Sequence, residues 1–258
     1  MNTIHPTAIV SSKAKLGENN IIHPFTIIQD DVEIGDNCEI GPSAVLYNGA
    51  RIGNQVKIYQ GSSIAHRPQD LKFGYEETYF YVGDNTVIHE FVTLHRGTKE
   101  TGKSSVGKNC LLMAYTHVAH DCVVGDNVIF ANGVTIAGHV HIEDWVIIGG
   151  MSGVHQFSFV GKHAMVGAHT AVLKDVPPFV LCGRTPIKFE GLNKVGLRRR
   201  GFSNEDINTL KNVYDAIYNS GLNVSQAITK IEIEYSGIEV VMDIVRFVKR
   251  SKRGIIGK

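Results

Sequence analysis

The stretch VGDNVIFANGVTIAGHVHI, residues 124–142, decides the fold, because an apolar residue recurs in it at every sixth position. These residues are Val124, Phe130, Ile136 and Ile142. The same spacing continues without a slip in register over residues 4–64 and 106–172. A period of six fits neither the repeat of an amphipathic helix, about 3.6 residues, nor the alternation of an ordinary strand. It predicts short strands that turn corners around a narrow apolar core.

A second inward-facing position follows four residues after the first one. It is small or β-branched nearly throughout, as in Ala44 and Val128, and Cys38, Cys110 and Cys122 also occupy it. We therefore expect these thiols to be reduced core residues rather than disulfide partners. Between the apolar positions, the turns IGDN, VGDN and VGKN supply the Gly and Asn that tolerate positive φ.

The six-residue pattern resembles the hexapeptide repeat of left-handed parallel β-helices, in which three hexads form one triangular coil. The resemblance implies the handedness. Coils stack at the inter-strand distance of about 4.8 Å, so residues one coil apart, or three hexads along the chain, lie above one another. Two segments interrupt the repeat near residues 65–81 and 95–105 without changing its register, and we expect them to be inserted loops.

The repeat stops after residue 172, and Pro177 and Pro178 mark the change. From Ser203 the sequence SNEDINTLKNVYDAIYNSG predicts a helix with a capping residue at its start and Gly221 at its end. Two further helical stretches are expected within residues 224–250. The predicted fold is thus mainly β: a left-handed parallel β-helix of about ten coils over residues 1–190, followed by a C-terminal α-helical domain over residues 191–258.

Charge and composition exclude several classes of protein. The 258 residues include 26 basic and 25 acidic residues, which give a formal net charge of +1 and no general attraction for nucleic acid. No segment approaches the roughly 20 apolar residues of a membrane span. The first residues, MNTIHPTAIV, lack the apolar core of a signal peptide, so we expect a cytoplasmic protein without stable membrane insertion.

Histidines cluster on the outside of the predicted coils. Seven of the 12 lie between residues 117 and 169, and none falls at an inward position of an uninterrupted hexad. One coil of spacing places His120–Asp121 directly beneath Gly138–His139. An imidazole can remove a hydroxyl proton, and a backbone N–H without a side chain beside it can bind an oxyanion. The patch is therefore suited to acyl transfer.

Other interpretations of the histidines compete with acyl transfer. A ladder of polar side chains covered by water needs no function. The γ-class carbonic anhydrases bind zinc on a left-handed β-helix through histidines that include a pair five residues apart, and this chain has no such pair. We therefore expect no metal. Bound metal in the purified protein would favour this class or a non-catalytic scaffold again.

An ordered set of motifs makes the resemblance more specific: PQDLKF, HRGT, HVAHDC, AGH, IIGGM, VHQF, DVPPF and GLRRRGF. Over essentially its whole length the chain is similar to the bacterial UDP-N-acetylglucosamine 3-O-acyltransferases, which begin lipid A synthesis. The resemblance implies transfer of a 3-hydroxyacyl chain from acyl carrier protein to the sugar 3-hydroxyl. It implies no cofactor beyond the carrier's phosphopantetheine, and a homotrimer with active sites between subunits.

The resemblance also assigns roles to residues. His120 is expected to be the general base, Asp121 to orient it, and the Gly138 amide to hold the oxyanion. Met165 and Ala168 are expected to set the length of the acyl chain. The expected substrate-binding residues are Asp70 and Lys72 in the first inserted loop, His117 and His139 at the sugar, His155 and Gln156 at the nucleotide sugar, and Asn193, Arg199 and Arg200 at uridine and diphosphate. Val195 departs from the family, whose members carry a glutamate there.

Several alternatives remain open at the level of the sequence. The acceptor could be the 3-amino analogue of the sugar, which would give an amide, or the enzyme could be another hexapeptide-repeat sugar acyltransferase or acetyltransferase. The helical tail, including Lys211, is expected to help dock the acidic carrier protein. His163 and His169 have no assigned role, and we expect both to be solvated or at an interface.

Overall fold

The computed structural model describes residues 1–258 and is a left-handed parallel β-helix followed by four helices. Most strands have only two residues, because each hexad must also turn a corner. The strands in chain order are β1 Thr3–Ile4, β2 Ile9–Val10, β3 Lys15–Leu16, β4 Ile21–Ile22, β5 Ile27–Ile28, β6 Val32–Ile34, β7 Glu39–Ile40, β8 Val45–Leu46, β9 Ala50–Ile52, β10 Lys57–Ile58, β11 Ser63–His66, β12 Tyr79–Val82, β13 Val87–Ile88, β14 Thr93–His95, β15 Lys103–Val106, β16 Leu111–Leu112, β17 His117–Val118, β18 Val123–Val124, β19 Ile129–Phe130, β20 Thr135–Ile136, β21 His141–Ile142, β22 Ile147–Ile148, β23 Gly153–Val154, β24 Phe159–Val160, β25 Met165–Val166, β26 Ala171–Val172, β27 Val180–Gly183 and β28 Lys188–Leu192.

The strands form three sheets, which are the three faces of a triangular prism. Sheet A has eleven strands in the order β1-β4-β7-β10-β13-β16-β19-β22-β25-β27-β28. Sheet B has nine, β2-β5-β8-β11-β14-β17-β20-β23-β26, and sheet C has eight, β24-β21-β18-β15-β12-β9-β6-β3. Neighbouring strands are parallel and one coil apart, as where Thr135 pairs with Gly153. Only β28 runs antiparallel, against β27.

The apolar residues of the first inward position fill the prism. From Ile22 to Val172 each of them is at most 5% exposed. Ile4 is 43% exposed, and Val10 and Leu16 are only partly buried, because no coil lies beneath the first one. The four cysteines are buried and unpaired, and burial raises the pKa of the Cys122 thiol to about 12.

The corners explain the G-D-N turns. At Asn127 the backbone is left-handed, with φ of 58°, a conformation that Asn tolerates. A Cβ at Gly125 would lie 2.8 Å from the backbone N of Asp144, so only glycine fits there. The backbone N–H of Asp126 donates to Oδ1 of Asp144 in the coil above, at 2.8 Å.

Two corners of the prism matter for the site. The B/C corner, where the chain passes from sheet B to sheet C, carries both inserted loops, residues 67–78 and 96–102. The C/A corner, where the chain passes from sheet C to sheet A, carries the G-D-N turns. A whole face of the prism separates the two corners.

Four helices follow the strands: α1 Lys194–Arg199, α2 Asn204–Asn219, α3 Val224–Glu234 and α4 Glu239–Arg250. Ser203 and Asp206 form the capping box at the start of α2. None of the helices is both long and apolar enough to cross a membrane. The apolar residues of α2, α3 and α4 belong to one core with those of the prism, so the helices are anchored firmly at its upper end.

Candidate functional site

His120 and Asp121 lie at the B/C corner between β17 and β18, and Gly138 and His139 lie one coil above them between β20 and β21. The backbone N–H of His139 donates to the carbonyl of His120 at 3.0 Å. The two imidazole rings meet edge to face, with 5.1 Å between their centres. The stacking of the two pairs, predicted from the spacing of one coil, is confirmed.

His120 is held by its neighbour in the chain. Its Nδ1 lies 2.7 Å from Oδ2 of Asp121, whose side chain is fully buried, while the imidazole is 16% exposed. A carboxylate can only accept a hydrogen bond, so Nδ1 carries the proton in this pair. The neutral ring then has its free lone pair on Nε2.

The second inserted loop keeps Asp121 ionised. The backbone N–H and the hydroxyl of Thr98 donate to its two oxygens at 2.9 Å each, and the Thr101 hydroxyl donates to Oδ1. Burial by itself would raise the pKa of Asp121, but the hydrogen bonds from His120, Thr101 and Thr98 outweigh it and hold the pKa below its ordinary value. The carboxylate is therefore a fixed negative charge behind His120.

Gly138 lies against the imidazole of His120. A Cβ at this position would be 2.7 Å from both Cε1 and Nε2 of that ring, so a side chain cannot be accommodated without moving it. Gly138 is buried, and its backbone N–H has no acceptor within the protein. In the G-D-N turns an aspartate caps the equivalent N–H, as at Asp126. The free N–H of Gly138 is thus available to a ligand beside Nε2.

Metal binding at this corner can be judged from the same geometry. The donor atoms of His120, Asp121 and His139 lie within 4.8 Å of one another. However, both oxygens of Asp121 already accept hydrogen bonds from Thr98 and Thr101 as well as from His120. The cluster is complete as a hydrogen-bond network, and the absence of a resident metal stays a prediction.

Further histidines lie on sheet B below the corner. His117 forms a hydrogen bond of 2.7 Å with the hydroxyl of Thr93, and His95 lies edge-on to it with ring centres 4.8 Å apart. His95 was assigned to a loop by sequence, but it ends β14 and is 3% exposed. Burial and the neighbouring His117 and His66 lower its pKa to about 3. In the sequence, the only signal that His95 lies near this site is its place at the start of the HRGT motif.

The other residues expected to bind the sugar surround this corner without touching His120. Lys72 and Asp70 lie in the first inserted loop, where the Lys72 backbone donates to Asp70, beside a cleft of about 560 Å³. His155 and Gln156 are exposed one coil above Gly138. Phe157, the next residue in the chain, stacks on His139 with 4.6 Å between the ring centres.

The residues expected to bind the nucleotide lie elsewhere. Asn193 caps α1 and donates to the carbonyl of His163 at 3.0 Å, and a guanidinium nitrogen of Arg200 lies 3.4 Å from Nδ1 of the same histidine. His163 belongs to the C/A corner. A single chain therefore does not bring Asn193, Arg199 or Arg200 to His120.

The structure also places the two histidines that had no assigned role. The ring of His163 is half-buried between Trp145 and Phe179, so it is not a freely solvated side chain, and its place at an interface stays a prediction. His169 is exposed, as expected. Of the arginines in GLRRRGF, Arg198 and Arg199 form the last turn of α1 and Arg200 is its C-cap.

The residues expected to limit the acyl chain lie on sheet A and the corner after it. Met165 is half-buried in β25, and Ala168 is exposed. A Cβ at Gly149 would lie 2.5 Å from the backbone N of Ala168, so the two coils are in close contact there. Val195, where the resemblance implied a glutamate, is 62% exposed in the first turn of α1.

Comparison with known families identifies two matching descriptions. Residues 175–256 match "Udp N-acetylglucosamine O-acyltransferase; Domain 2". Residues 13–48, 31–66 and 103–138 match "Bacterial transferase hexapeptide (six repeats)". Two similar relatives, from Thiobacillus denitrificans and Burkholderia mallei, are named acyl-[acyl-carrier-protein]–UDP-N-acetylglucosamine O-acyltransferase and are 48% and 49% identical over 99% of this chain and all of theirs.

Solved structures give the same result. A UDP-N-acetylglucosamine acyltransferase from Francisella novicida superposes with a TM-score of 0.97 at 37% identity, covering 99% of this chain and 94% of the other. One from Bacteroides fragilis superposes with a TM-score of 0.96 at 45% identity, covering 98% of this chain and all of the other. The likeness thus extends over both the prism and the helices.

Proposed function

The chain belongs to the family of acyl-[acyl-carrier-protein]–UDP-N-acetylglucosamine O-acyltransferases, and we propose that His120 is the general base of its reaction. The enzyme transfers an acyl group from acyl carrier protein to UDP-N-acetylglucosamine, the first step of lipid A biosynthesis. The observation that carries the proposal is the contact between Nε2 of His120 and Gly138, with Asp121 bound to the opposite nitrogen.

In the proposed first step, Nε2 of His120 accepts the proton of the sugar 3-hydroxyl while the oxygen of that hydroxyl attacks the carbonyl carbon of a 3-hydroxyacyl thioester. The imidazolium that forms is stabilised by the ionised carboxylate of Asp121, which is 2.7 Å from Nδ1. Because Asp121 accepts hydrogen bonds from Thr98 and Thr101, it stays ionised and in place during the transfer.

In the second step, the tetrahedral intermediate collapses. Its oxyanion is held by the backbone N–H of Gly138, which is preorganised because no protein group competes for it. The carbon–sulfur bond breaks, and the imidazolium of His120 returns its proton to the leaving thiolate of the carrier's phosphopantetheine. The products are the 3-O-acyl sugar nucleotide and a free thiol, and the enzyme returns to its initial state without a covalent intermediate.

The two predicted halves of the substrate site support a homotrimer. His120 is at the B/C corner, whereas Asn193 and Arg200 are at the C/A corner, with a whole sheet between them. If both sets bind one nucleotide sugar, they must come from different copies of the chain. We propose that symmetric closure of three copies brings them together, with His117, His139, Asp70, Lys72, His155 and Gln156 lining the sugar side.

The remaining parts of the proposal concern cofactors and location. The thiol chemistry is supplied by acyl carrier protein, so we propose that no metal or dissociable cofactor takes part. Four reduced, buried cysteines are consistent with a cytoplasmic enzyme. We also propose that Met165 and Ala168 set the preferred chain length, because both lie in the ninth coil of the stack, above the coils that carry the base.

The test is an acyl-transfer assay with a series of 3-hydroxyacyl carrier proteins of increasing chain length. UDP-N-acetylglucosamine and its 3-amino analogue are offered as separate acceptors, with and without a chelator. We expect transfer to the ordinary sugar with one preferred chain length and no effect of the chelator. Transfer to the amino sugar alone would overturn the choice of acceptor, and loss of activity with the chelator would overturn the metal-free mechanism.

A further inference from the structure

The C/A corner changes character at its upper end. In the three coils directly below, the residue at this corner is asparagine: Asn85, Asn109 and Asn127. The next three positions up the stack are Trp145, His163 and Phe179. Their rings are nearly parallel, with 6.1 Å from Trp145 to His163 and 5.6 Å from His163 to Phe179. Phe202, which follows α1, meets His163 edge to face at 5.0 Å.

His163 contacts both residues that connect α1 to this corner. Its backbone carbonyl accepts a hydrogen bond from Nδ2 of Asn193 at 3.0 Å. Its Nδ1 lies 3.4 Å from a guanidinium nitrogen of Arg200. The Arg200 guanidinium also lies over the Trp145 ring, 5.2 Å from the ring centre. One histidine therefore joins two of the three residues expected to hold uridine and diphosphate.

The electrostatics fix the direction of the contact. An arginine can only donate, so Nδ1 of His163 must accept and the ring must be neutral. Burial, together with Arg200 and Lys162, lowers the pKa of His163 to about 4, against the opposing effect of Asp243. Burial also lowers the pKa of Arg200, and no carboxylate offsets this effect. The guanidinium is thus partly desolvated and held by neutral groups, which leaves its charge available to an anion.

We infer that His163 is a positioning residue for nucleotide recognition: it orients the guanidinium of Arg200 toward the diphosphate. The inference rests on the proposed function and deepens it, because it concerns how that nucleotide site is built. His163 itself touches no substrate. Its hydrogen bond and the Trp145 ring restrict the long Arg200 side chain to one orientation, so less conformational freedom is lost when the nucleotide binds.

Two variants of His163 separate orientation from packing. His163→Phe keeps a flat ring in the stack and removes the acceptor, and phenylalanine already tolerates this left-handed corner conformation at Phe157 and Phe179. His163→Asn keeps an acceptor near the position of Nδ1 and places there the residue found in the lower coils. His169→Phe is the matched control, since His169 has the same place in its hexad and an exposed side chain.

The measurement is the steady-state KM for each substrate. We expect His163→Phe to raise the KM for UDP-N-acetylglucosamine about 5- to 10-fold, the scale of the net contribution of one ordinary hydrogen bond. Its kcat and its KM for acyl carrier protein should stay within about twofold of wild type, because the base is at another corner. His163→Asn should restore much of the affinity for UDP-N-acetylglucosamine. His169→Phe should leave kcat and the KM for both substrates unchanged.

A double-mutant cycle with Arg200→Gln tests whether His163 acts through that arginine. We expect His163→Phe to add almost nothing in the Arg200→Gln background, since the group that it orients is gone. Additive effects, an unchanged KM in His163→Phe, or equal losses for both substrates would overturn the inference. If the wild type transfers no acyl group, the proposed function fails instead, and if Arg200→Gln alone leaves the KM unchanged, the assigned role of Arg200 fails.

Discussion

At the scale of single residues, Gly138 is the position where one added carbon has the most direct effect. Gly138→Ala would place a methyl group 2.7 Å from Nε2 of His120. The ring must move away, so we expect kcat/KM to fall about 100-fold, the scale of a misplaced general base. The free energy of unfolding should change little, because the backbone φ of Gly138 is not in the left-handed region.

The control for this change is Gly153→Ala. A Cβ at Gly153 would lie 4.0 Å from its nearest neighbour, the carbonyl of Thr135, so the site should not be affected. Assays of both variants, together with thermal unfolding, check the comparison. Equal activity of the two variants would mean that the contact between Gly138 and His120 has no catalytic role.

His95 predicts how stability depends on pH. Its pKa is about 3 in the folded chain and 6.5 in the reference state, so below pH 6.5 the unfolded chain binds a proton that the folded chain does not. The part of the free energy of unfolding that depends on neutral His95 is therefore fully present above pH 6.5 and is lost as the pH falls toward 3. We expect the Tm of the wild type to fall more steeply between pH 6.5 and 4.5 than that of His95→Phe, which keeps a ring and removes the titration. Parallel curves would contradict this.

How far the site could be predicted also differs among residues. The stacking of His120 under Gly138 follows from the length of one coil alone, because a regular repeat fixes which residues are neighbours. The burial of His95 and the position of His163 could not be obtained in this way. His95 is covered where an inserted loop leaves the prism, and His163 is covered by Arg200 and Phe202, which follow α1.

At the scale of elements, the second inserted loop is part of the proposed active site, because it holds Asp121. Its hydroxyls at Thr98 and Thr101 donate to Asp121. The double variant Thr98→Val, Thr101→Val removes both donors and leaves the shape of the loop nearly unchanged. We expect kcat to fall about tenfold or more, since each lost hydrogen bond to a charged group costs about 1.5–3 kcal/mol, while the KM for either substrate changes little.

The matched control for the loop is Lys99→Ala. Lys99 is exposed, and only its backbone N–H contacts Glu76 of the first inserted loop. Steady-state kinetics of the two variants check the role of the loop. Wild-type kcat in the double variant would show that Asp121 does not depend on these donors.

Elements with a local signal were predictable. The helix α2 follows from Ser203, whose hydroxyl accepts from the Asp206 backbone at 3.0 Å as the capping-box pattern indicates. The short helix α1 has an N-cap at Asn193 but no capping box. It is fixed by the packing of Leu197 and by the contact of Asn193 with the top of the prism. The ends of the inserted loops were also misjudged by a few residues, since β11 continues through a bulge to His66.

At the scale of the whole molecule, the separation of the two corners predicts complementation between subunits. In a mixed trimer of His120→Ala and Arg200→Ala chains, one of the three sites would combine an intact His120 with an intact Arg200. We expect such trimers to recover about one third of wild-type activity at low UDP-N-acetylglucosamine. Differently tagged, co-expressed chains allow their purification. Activity no greater than that of either homotrimer would place both residues in one subunit's site.

The sequence pattern predicts the prism but not how prisms associate. A hexad repeat specifies what lies inside each coil, whereas the residues of the outer faces follow no period. The assignment of Asn193 and Arg200 to a substrate site, like the expectation of active sites between subunits, therefore came from resemblance, and the structure adds that both residues lie at the C/A corner.

The most direct test of the central claim is kcat/KM for acyl transfer by the wild type and by His120→Ala, measured with the preferred 3-hydroxyacyl carrier protein and UDP-N-acetylglucosamine. His120 lies at a corner outside the apolar core, and Thr98 and Thr101 still donate to Asp121 when the imidazole is removed, so the substitution should remove the base and leave the prism folded. We expect a loss of at least about 100-fold in a folded variant whose Tm falls only slightly. Wild-type activity in the variant would contradict the assignment of His120 as the base.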